Sequence, residues 1–394
     1  MFPAKWDVFP DLLESAGYHV GYTGKGWGPG DHEAGGFKRN PAGPNYDKYT
    51  APPKFRYISN KDYARNFEHF LENREDEQPF CFWFGTHEPH RAYEDGAGER
   101  SDKLYKDVDV PKFFPDNETI RRDLADYAVE SEWFDTHLGR ILKKIESLGE
   151  LDNTLVLVTS DHGMPFPRVK GQIYEYGFHL PLAVRWGGMA GDRKIDDFIN
   201  VRDYAPTLLE LAGVNIPESM TGKSFLDVLK SGDSGSVDKT RDRMLIGKER
   251  HDLGRPNDWG YPVRALRTPD YLYVRNYEPD RWPAGNPETG YRNCDDSPTK
   301  FQLLKRFDEY YRMAFGKRPA EELYKIPEDM DCVDNLADDP AHSETKKQMR
   351  AELEQRLKDD GDPRALGQGW VFDTYKHTGG RGHSFDTWLS NHKP

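Results

Sequence analysis

TLVLVTSDHGMPFPRVKG, residues 154–171, is the stretch on which the reading of this chain turns. It opens on an uncharged run of leucine and β-branched residues, which predicts a buried strand over Leu155–Thr159. The strand delivers Asp161 and His162 to a loop, and Lys170 follows nine residues after the aspartate. An acid, an imidazole and an ammonium placed this way suit a metal-assisted attack on an anionic ester, where charge must be held as it moves. Asp161 at the end of a buried strand needs a partner, and a metal is a common one. Carboxylate oxygen favours calcium or magnesium, whereas imidazole is a less usual ligand for such hard cations.

Two further apolar runs end in the same way. Phe80–Phe84 predicts a buried strand that stops at Gly85 and opens onto THEPHR, which carries His87, His90 and Arg91. His19–Thr23 is strand-like and ends in the glycine-rich turn GKGWGPG around Lys25. Open α/β sheets bind ligands beyond the carboxyl ends of their strands. Lys25, the His87/His90/Arg91 cluster and Asp161/His162/Lys170 are therefore expected to converge on one crevice. Plainer readings stand beside this one: Lys25 and Lys170 as solvated lysines, the histidines as structural, Asp161 and His162 as caps of the following turn.

Around these strands the periodicity is helical. Ile120, Leu124, Tyr127, Phe134, Leu138, Ile141, Ile145 and Leu148 recur at three- and four-residue steps and predict a long helix that packs on a sheet face. Shorter helices are expected over Phe9–Ala16, Asp62–Arg74 and Tyr204–Leu211, and another strand over Leu182–Trp186. SGDSGSVD, Ser231–Asp238, marks a linker or exposed loop. Beyond it, Met244–Gly247, Arg264–Thr268 and Tyr271–Val274 predict an antiparallel sheet, followed by a charged helix over Ser343–Lys358. The expected fold class is α/β, with an α/β domain over 1–238 and a smaller C-terminal α+β subdomain, an antiparallel sheet plus helix, over 239–394.

Composition narrows the function. The net charge of −13 argues against nucleic acid as a partner, although a cationic pocket can still sit inside an acidic protein. No run approaches the length of a membrane span. Three cysteines without a CxxC spacing make a structural zinc site or a disulfide framework a poor fit. Lys248–Arg264, KERHDLGRPNDWGYPVR, is rich in cations and aromatics, and Arg250 and His251 are its candidates for substrate contact.

The motifs together resemble the type I sulfatases of the alkaline phosphatase superfamily, and within them the heparan N-sulfatase (sulfamidase)-like members. AGYHVGYTGKGWG resembles the family's AGY-x-T-x-x-x-GKWH, and PFCFWFGTHEPHR its strand ending in H-x-P-H. TLVLVTSDHGMPFP resembles the strand ending in D-N/H-G, YGFHLPLAVRW the E-x-x-x-R-x-P-L segment, and ELYKIPEDMDCVDNLADDP the C-terminal ELYDL…NLA stretch. The resemblance spans Ala16 to Pro340. It implies an alkaline-phosphatase-like mixed sheet flanked by helices, with the first strand apparently missing. It further implies a calcium ion (Ca2+) held by Asp161, His162 and two acidic residues of that first strand. Lys25, His90 and Lys170 would surround the sulfate, with His90 able to protonate the leaving group; His87 and Arg91, read from their strand-end loop, are the candidates beside them for substrate contact. The nucleophile would be a formylglycine made by a formylglycine-generating or maturase enzyme from a C/S-x-P-x-R motif. The substrate would be a sulfated carbohydrate, such as a glucosamine unit of a glycosaminoglycan, and the intact protein periplasmic or extracellular.

The chain departs from the family pattern at two points. C/S-x-P-x-R does not occur in these 394 residues, so that motif and the acidic pair are expected ahead of Met1, and the chain as given is expected not to turn over. Trp27 stands where the family usually has a histidine, with His32 as a spatial substitute. Two other readings are a phosphonate or phosphodiester hydrolase of the same superfamily and a non-catalytic remnant that binds sulfated glycans.

Overall fold

β1 (His19–Gly24) and β2 (Phe80–Gly85) pair in parallel, residue for residue, from His19 against Phe80 to Gly24 against Gly85. Alternation of side chains along β2 gives the pair two apolar faces. On one, Phe80, Phe82 and Phe84 meet Phe67 and Phe70 of the helix Tyr63–Glu72 and Ile141 and Ile145 of the helix Glu118–Ser147. On the other, Val20 and Cys81 meet Leu13 of the helix Phe9–Ser15 and Leu209 of the helix Tyr204–Leu211. A parallel ribbon covered by helices on both faces is the arrangement its uninterrupted apolar strands require.

The computed structural model describes residues 2–28, 31–103, 105–375, 377 and 384–392. Pro29 and Gly30, the end of the GKGWGPG turn, lie outside the described residues. Two compact units are present. The first comprises 1–102, 126–158 and 183–241; the second comprises 103–125, 159–182 and 242–394. The first unit contains the β1–β2 ribbon. β3 (Val156–Thr159) pairs with β4 (Leu182–Arg185) in a second two-stranded sheet. Leu155, Leu157 and Val184 pack there against Phe225, Leu226 and Leu229. The strands expected from sequence are present, and among the described residues they pair as two separate ribbons.

The second unit is built on an antiparallel sheet in the order β5 (Met244–Lys248), β6 (Val263–Arg267), β7 (Tyr271–Asn276) and β8 (Glu321–Lys325). One face holds Val263, Ala265, Leu272, Val274 and Tyr324, together with Ile173 and Tyr174. The other face, with Leu266, Tyr273 and Leu323, is covered by Met349, Leu353 and Leu357 of the helix Ser343–Asp359. Ile173 and Tyr174 explain why 159–182 groups with this unit: the loop that follows β3 is part of its core. Arg168 anchors the same loop. Its guanidinium is buried, donates to the carbonyls of Met313 and Cys332, and stacks 4.0 Å from the Tyr174 ring. No helix among the described residues is long and apolar enough to cross a membrane.

Candidate active site

Because β1 and β2 run parallel and in register, Lys25 and Thr86 leave the same edge side by side. The Lys25 N–H donates to the Gly85 carbonyl at 2.5 Å, and the Trp83 indole N–H donates to the Lys25 carbonyl at 3.0 Å. This approach demands glycine: a Cβ on Gly85 would lie 2.0 Å from the Lys25 carbonyl oxygen. Asp47 fixes the end of β1 by accepting from Thr23 Oγ1 at 2.7 Å, the Gly24 N–H at 2.9 Å and Lys61 Nζ at 2.5 Å. Burial alone would raise the Asp47 carboxyl, but these donors and Asn45 outweigh it and hold it low. The Lys25 side chain itself is exposed, with no ion pair among the described residues.

The THEPHR loop rests on a buried carboxylate. Glu88 Oε1 accepts the Ser59 N–H at 2.6 Å, and Oε2 accepts the Tyr63 hydroxyl at 2.9 Å. The Tyr63 oxygen in turn accepts the His87 N–H at 3.1 Å. With its middle residue pinned inward, the loop turns His87 and His90 out to solvent. His90 Nδ1 lies 2.6 Å from the Arg91 carbonyl, so it carries the hydrogen and leaves Nε2 as the free nitrogen. Burial and the Lys25 charge lower the His87 pKa, which keeps that imidazole neutral over a wider range. Arg91 stacks 4.4 Å over the Tyr93 ring.

In the second unit, Asp161 and His162 stand at the start of the loop after β3. His162 Nδ1 lies 2.6 Å from the Gly163 carbonyl, and its Nε2 sits 3.7 Å from Asp161 Oδ1. The Asp161 side chain is 85% exposed. Gly163 is obligatory, since a Cβ there would meet the Tyr176 carbonyl oxygen at 1.6 Å. A carboxylate oxygen and an imidazole lone pair on the same side of a rigid turn fit two ligands of a metal ion. Among the described residues no third His, Cys, Asp or Glu completes such a group.

Lys170 is placed differently. Its side chain is 12% exposed, and Nζ lies 2.7 Å from Asp295 Oδ2. The next residue, Gly171, has φ +70° and lies under the His251 ring, where a Cβ would meet ring atoms at 2.8 Å. His251 keeps solvent contact, but the protein around its ring, with Lys248 and Lys170 nearby, pulls its pKa down to about 4. Arg250 donates to the carbonyls of Asp258 at 3.1 Å and Tyr375 at 3.0 Å.

Lys25, His87, His90 and Arg91 thus share one edge of the first unit. Asp161, His162, Lys170, Arg250 and His251 belong to the second. Trp27 packs 5.1 Å from Phe2, and its indole N–H is buried. Cys81, Cys294 and Cys332 are all free thiols. Sequence reasoning passed over Asp47, Glu88 and Asp295. Glu88 carried a signal, as the one acid between two exposed histidines; Asp295 carried none.

The fold and these loops define an α/β protein whose strand ends gather cations and imidazoles. The family model described as sulfatase matches residues 3–214, and the chain belongs to the sulfatase family, with the alkaline-phosphatase-like fold. It is 28% identical over 272 residues to an ulvan-active sulfatase of Formosa agariphila, covering 66% of this chain and 42% of that protein. It is 25% identical over 338 residues to the N-sulphoglucosamine sulphohydrolase of Homo sapiens, covering 75% of this chain and 63% of that protein. A protein solved in complex with its substrate D-glucosamine-2-N,6-O-disulfate superposes with a TM-score of 0.60 at 17% identity, over 92% of this chain and 84% of that one. The chain therefore spans less than two thirds of either curated relative.

Proposed function

We propose that this chain carries the sulfate-handling machinery of a calcium-dependent sulfuric ester or sulfamate hydrolase acting on sulfated sugars, glucosamine units first among them. The observation that carries the reading is Lys25, exposed and without an ion pair among the described residues, beside His87 and His90, in a chain that matches the sulfatase model across both loops. The named substrates of its relatives, ulvan, N-sulphoglucosamine and glucosamine disulfate, support the carbohydrate class.

In this proposal Lys25 of the first unit and Lys170 of the second are each assigned to sulfate oxygens, since an ammonium stabilises the negative charge that gathers in the transition state. As the bond from sulfur to the sugar oxygen or nitrogen breaks, its electron pair stays on the leaving atom, and His90, acting as the imidazolium, gives that atom the proton on Nε2 and is left as the neutral ring with its hydrogen on Nδ1. The Arg91 carbonyl keeps the ring in the tautomer that leaves Nε2 to exchange it. His87 and Arg91 in the first unit, and Arg250 and His251 in the second, are assigned to the sugar. Calcium, with Asp161 and His162 among its ligands, would neutralise the sulfate when bound. A formylglycine nucleophile, installed by a maturase, and export to a periplasmic or extracellular setting complete the proposal.

Calorimetric titration of the 394-residue chain with a heparin-derived N-sulfated disaccharide tests it. Binding is expected to weaken about tenfold, or roughly 1.4 kcal/mol, in Lys25→Ala and in Lys170→Ala, and again on chelation of calcium. Binding indifferent to both lysines overturns the proposal; binding that needs the lysines but ignores chelation favours a metal-independent glycan-binding protein.

A further inference from the structure

Three aromatic and cationic features of the second unit meet at one loop, 250–259, and the family motifs account for none of them. The first is a strained tip. Asn257 and Asp258 are consecutive non-glycine residues at φ +56° and +58°, and directly after them Trp259 is 38% exposed. Left-handed backbone costs a side-chain-bearing residue on the order of 1 kcal/mol or more, so two in a row persist only where the surroundings impose them. Here they are imposed from behind. Arg255 is buried and donates to the carbonyls of Trp282, Pro283 and Trp259. Arg281 stacks 4.9 Å from the Trp259 ring and donates to the Gly260 carbonyl at 3.0 Å. The indole is thus a rigid wall with a cation behind it.

The second feature is the segment after the charged helix. Gly369–Thr374 forms a short 3-10 turn, and Tyr375 follows it, 57% exposed, its ring edge-on to Phe372 at 5.9 Å. Phe372 is held from below by the guanidinium groups of Arg264 and Arg364, at 5.9 and 5.5 Å. The third is Arg250, which ties the two together. One nitrogen donates to the carbonyl of Asp258, next to Trp259, and the other to the carbonyl of Tyr375. No carboxylate neutralises Arg250 among the described residues, although the chain as a whole is acidic.

A rigid indole, an exposed phenol ring and a fixed, uncompensated guanidinium make a surface for a flat, partly apolar and anionic molecule. The C–H faces of a pyranose pack on aromatic rings, and a guanidinium donates in pairs to sulfate or carboxylate oxygens. The position along the chain matters too. His251, next to Arg250, overlies Gly171, the neighbour of the proposed sulfate-binding Lys170.

We propose that Trp259, Tyr375 and Arg250 form a subsite for a second, anionic sugar ring, adjoining the one whose sulfate Lys170 holds. The subsite selects an oligosaccharide over a single sulfated unit. The inference rests on the sulfated-glycan reading above and adds the length of glycan that is read.

Calorimetric titration of the 394-residue chain against inorganic sulfate, a heparin-derived disaccharide and the corresponding tetrasaccharide tests it. The tetrasaccharide is expected to bind about tenfold tighter than the disaccharide. Trp259→Ala and Tyr375→Ala should each bring that ratio below about threefold and leave inorganic sulfate binding unchanged. Tyr375→Ala removes an exposed ring and keeps the carbonyl that holds Arg250, so its result stands even where Trp259→Ala unfolds. A tetrasaccharide preference that survives Tyr375→Ala, or no preference in the parent chain, overturns the subsite. Loss of sulfate binding in Lys170→Ala with the preference intact upholds both readings. Sulfate binding indifferent to Lys25 and Lys170, with a preference that still depends on Tyr375, rejects the proposed roles of the two lysines and keeps the subsite.

Discussion

The loop after β2 and the loop after β3 carry the same kinds of groups and are built in opposite ways. The first buries its acid and exposes its bases. Glu88 is spent on Ser59 and Tyr63 inside the first unit, so Lys25, His87 and His90 face solvent. The second exposes its acid and commits its base. Asp161 is almost bare, while Lys170 is largely buried and already paired with Asp295. One loop is preset for an incoming anion. In the proposed function the other would take a cation at Asp161 and His162, and its lysine would reach an anion by exchanging partners.

Exchanging the roles of the two exposed histidines should have the largest effect. In turnover-competent protein, His90→Ala is expected to lower kcat by about 100- to 10,000-fold, the usual contribution of a positioned proton donor. His87→Ala should act mainly on KM, since burial and Lys25 keep that ring neutral. Sulfate release followed by ion chromatography, with an activated aryl sulfate that needs no protonation, checks the assignment: the aryl sulfate should recover most of the His90→Ala loss. Equal losses on both substrates would remove His90 from the role of acid.

The buried side of the first loop gives the next effect. Glu130 lies in the helix Glu118–Ser147, and burial together with the Glu88 charge pushes its pKa up to about 8. A carboxyl raised in the folded state stabilises the fold fully below its ordinary pKa and loses that contribution as pH climbs through the folded value. His137, on the same helix, is lowered to about 4 by burial and Arg140, so its contribution is gained as pH rises from 4 to its ordinary value of 6.5. Between pH 6.5 and 8 Glu130 is therefore the dominant titrating group of this core. The parent chain should lose about 1–2 kcal/mol of stability across that window, allowing for partial solvent screening, and Glu130→Gln should stay flat. Urea unfolding at half-unit pH steps measures it; parallel curves for the two proteins would show that Glu88 and Glu130 do not share a site.

How much of this the sequence carried follows from which contacts are local. The Phe80–Phe84 and Leu155–Thr159 runs declared strands through their uninterrupted apolar residues, although the expected full burial is not reached: both strands are half-buried and Trp83 is exposed. The helix Glu118–Ser147 declared itself through its stripe. β8 was not read, because Glu321–Lys325 sets two acids, then Leu323 and Tyr324, then a lysine, with neither a two-residue alternation nor an apolar run, and its acids are absorbed elsewhere, Glu321 by Arg350 and Glu322 by Tyr174. The strand-end lysines and histidines were legible as types at turns, but their state was not. Lys25 and Lys170 look alike in sequence, and what separates them is Asp295, which reaches Lys170 across 125 residues of chain.

That contact is also where the comparison can be sharpened with the smallest effect. Asp295 holds Lys170 Nζ at 2.7 Å in a setting that is only partly exposed, so a sulfate arriving at Lys170 competes with a carboxylate already there. A partly exposed ion pair of this kind contributes about 1 kcal/mol. Asp295→Asn keeps the shape and a hydrogen-bonding oxygen, and removes the competing charge. Inorganic sulfate should then bind roughly two- to fivefold tighter, with the gain abolished in the Lys170→Ala background and preserved in Lys25→Ala. The gain should also shrink as sodium chloride is raised, because the two charges are partly screened. Tighter binding that survives Lys170→Ala would mean that Asp295 acts through the general field of the second unit and not on this lysine. Weaker binding in Asp295→Asn would mean that the carboxylate positions Lys170 for its anion, and the two loops would then differ in burial alone.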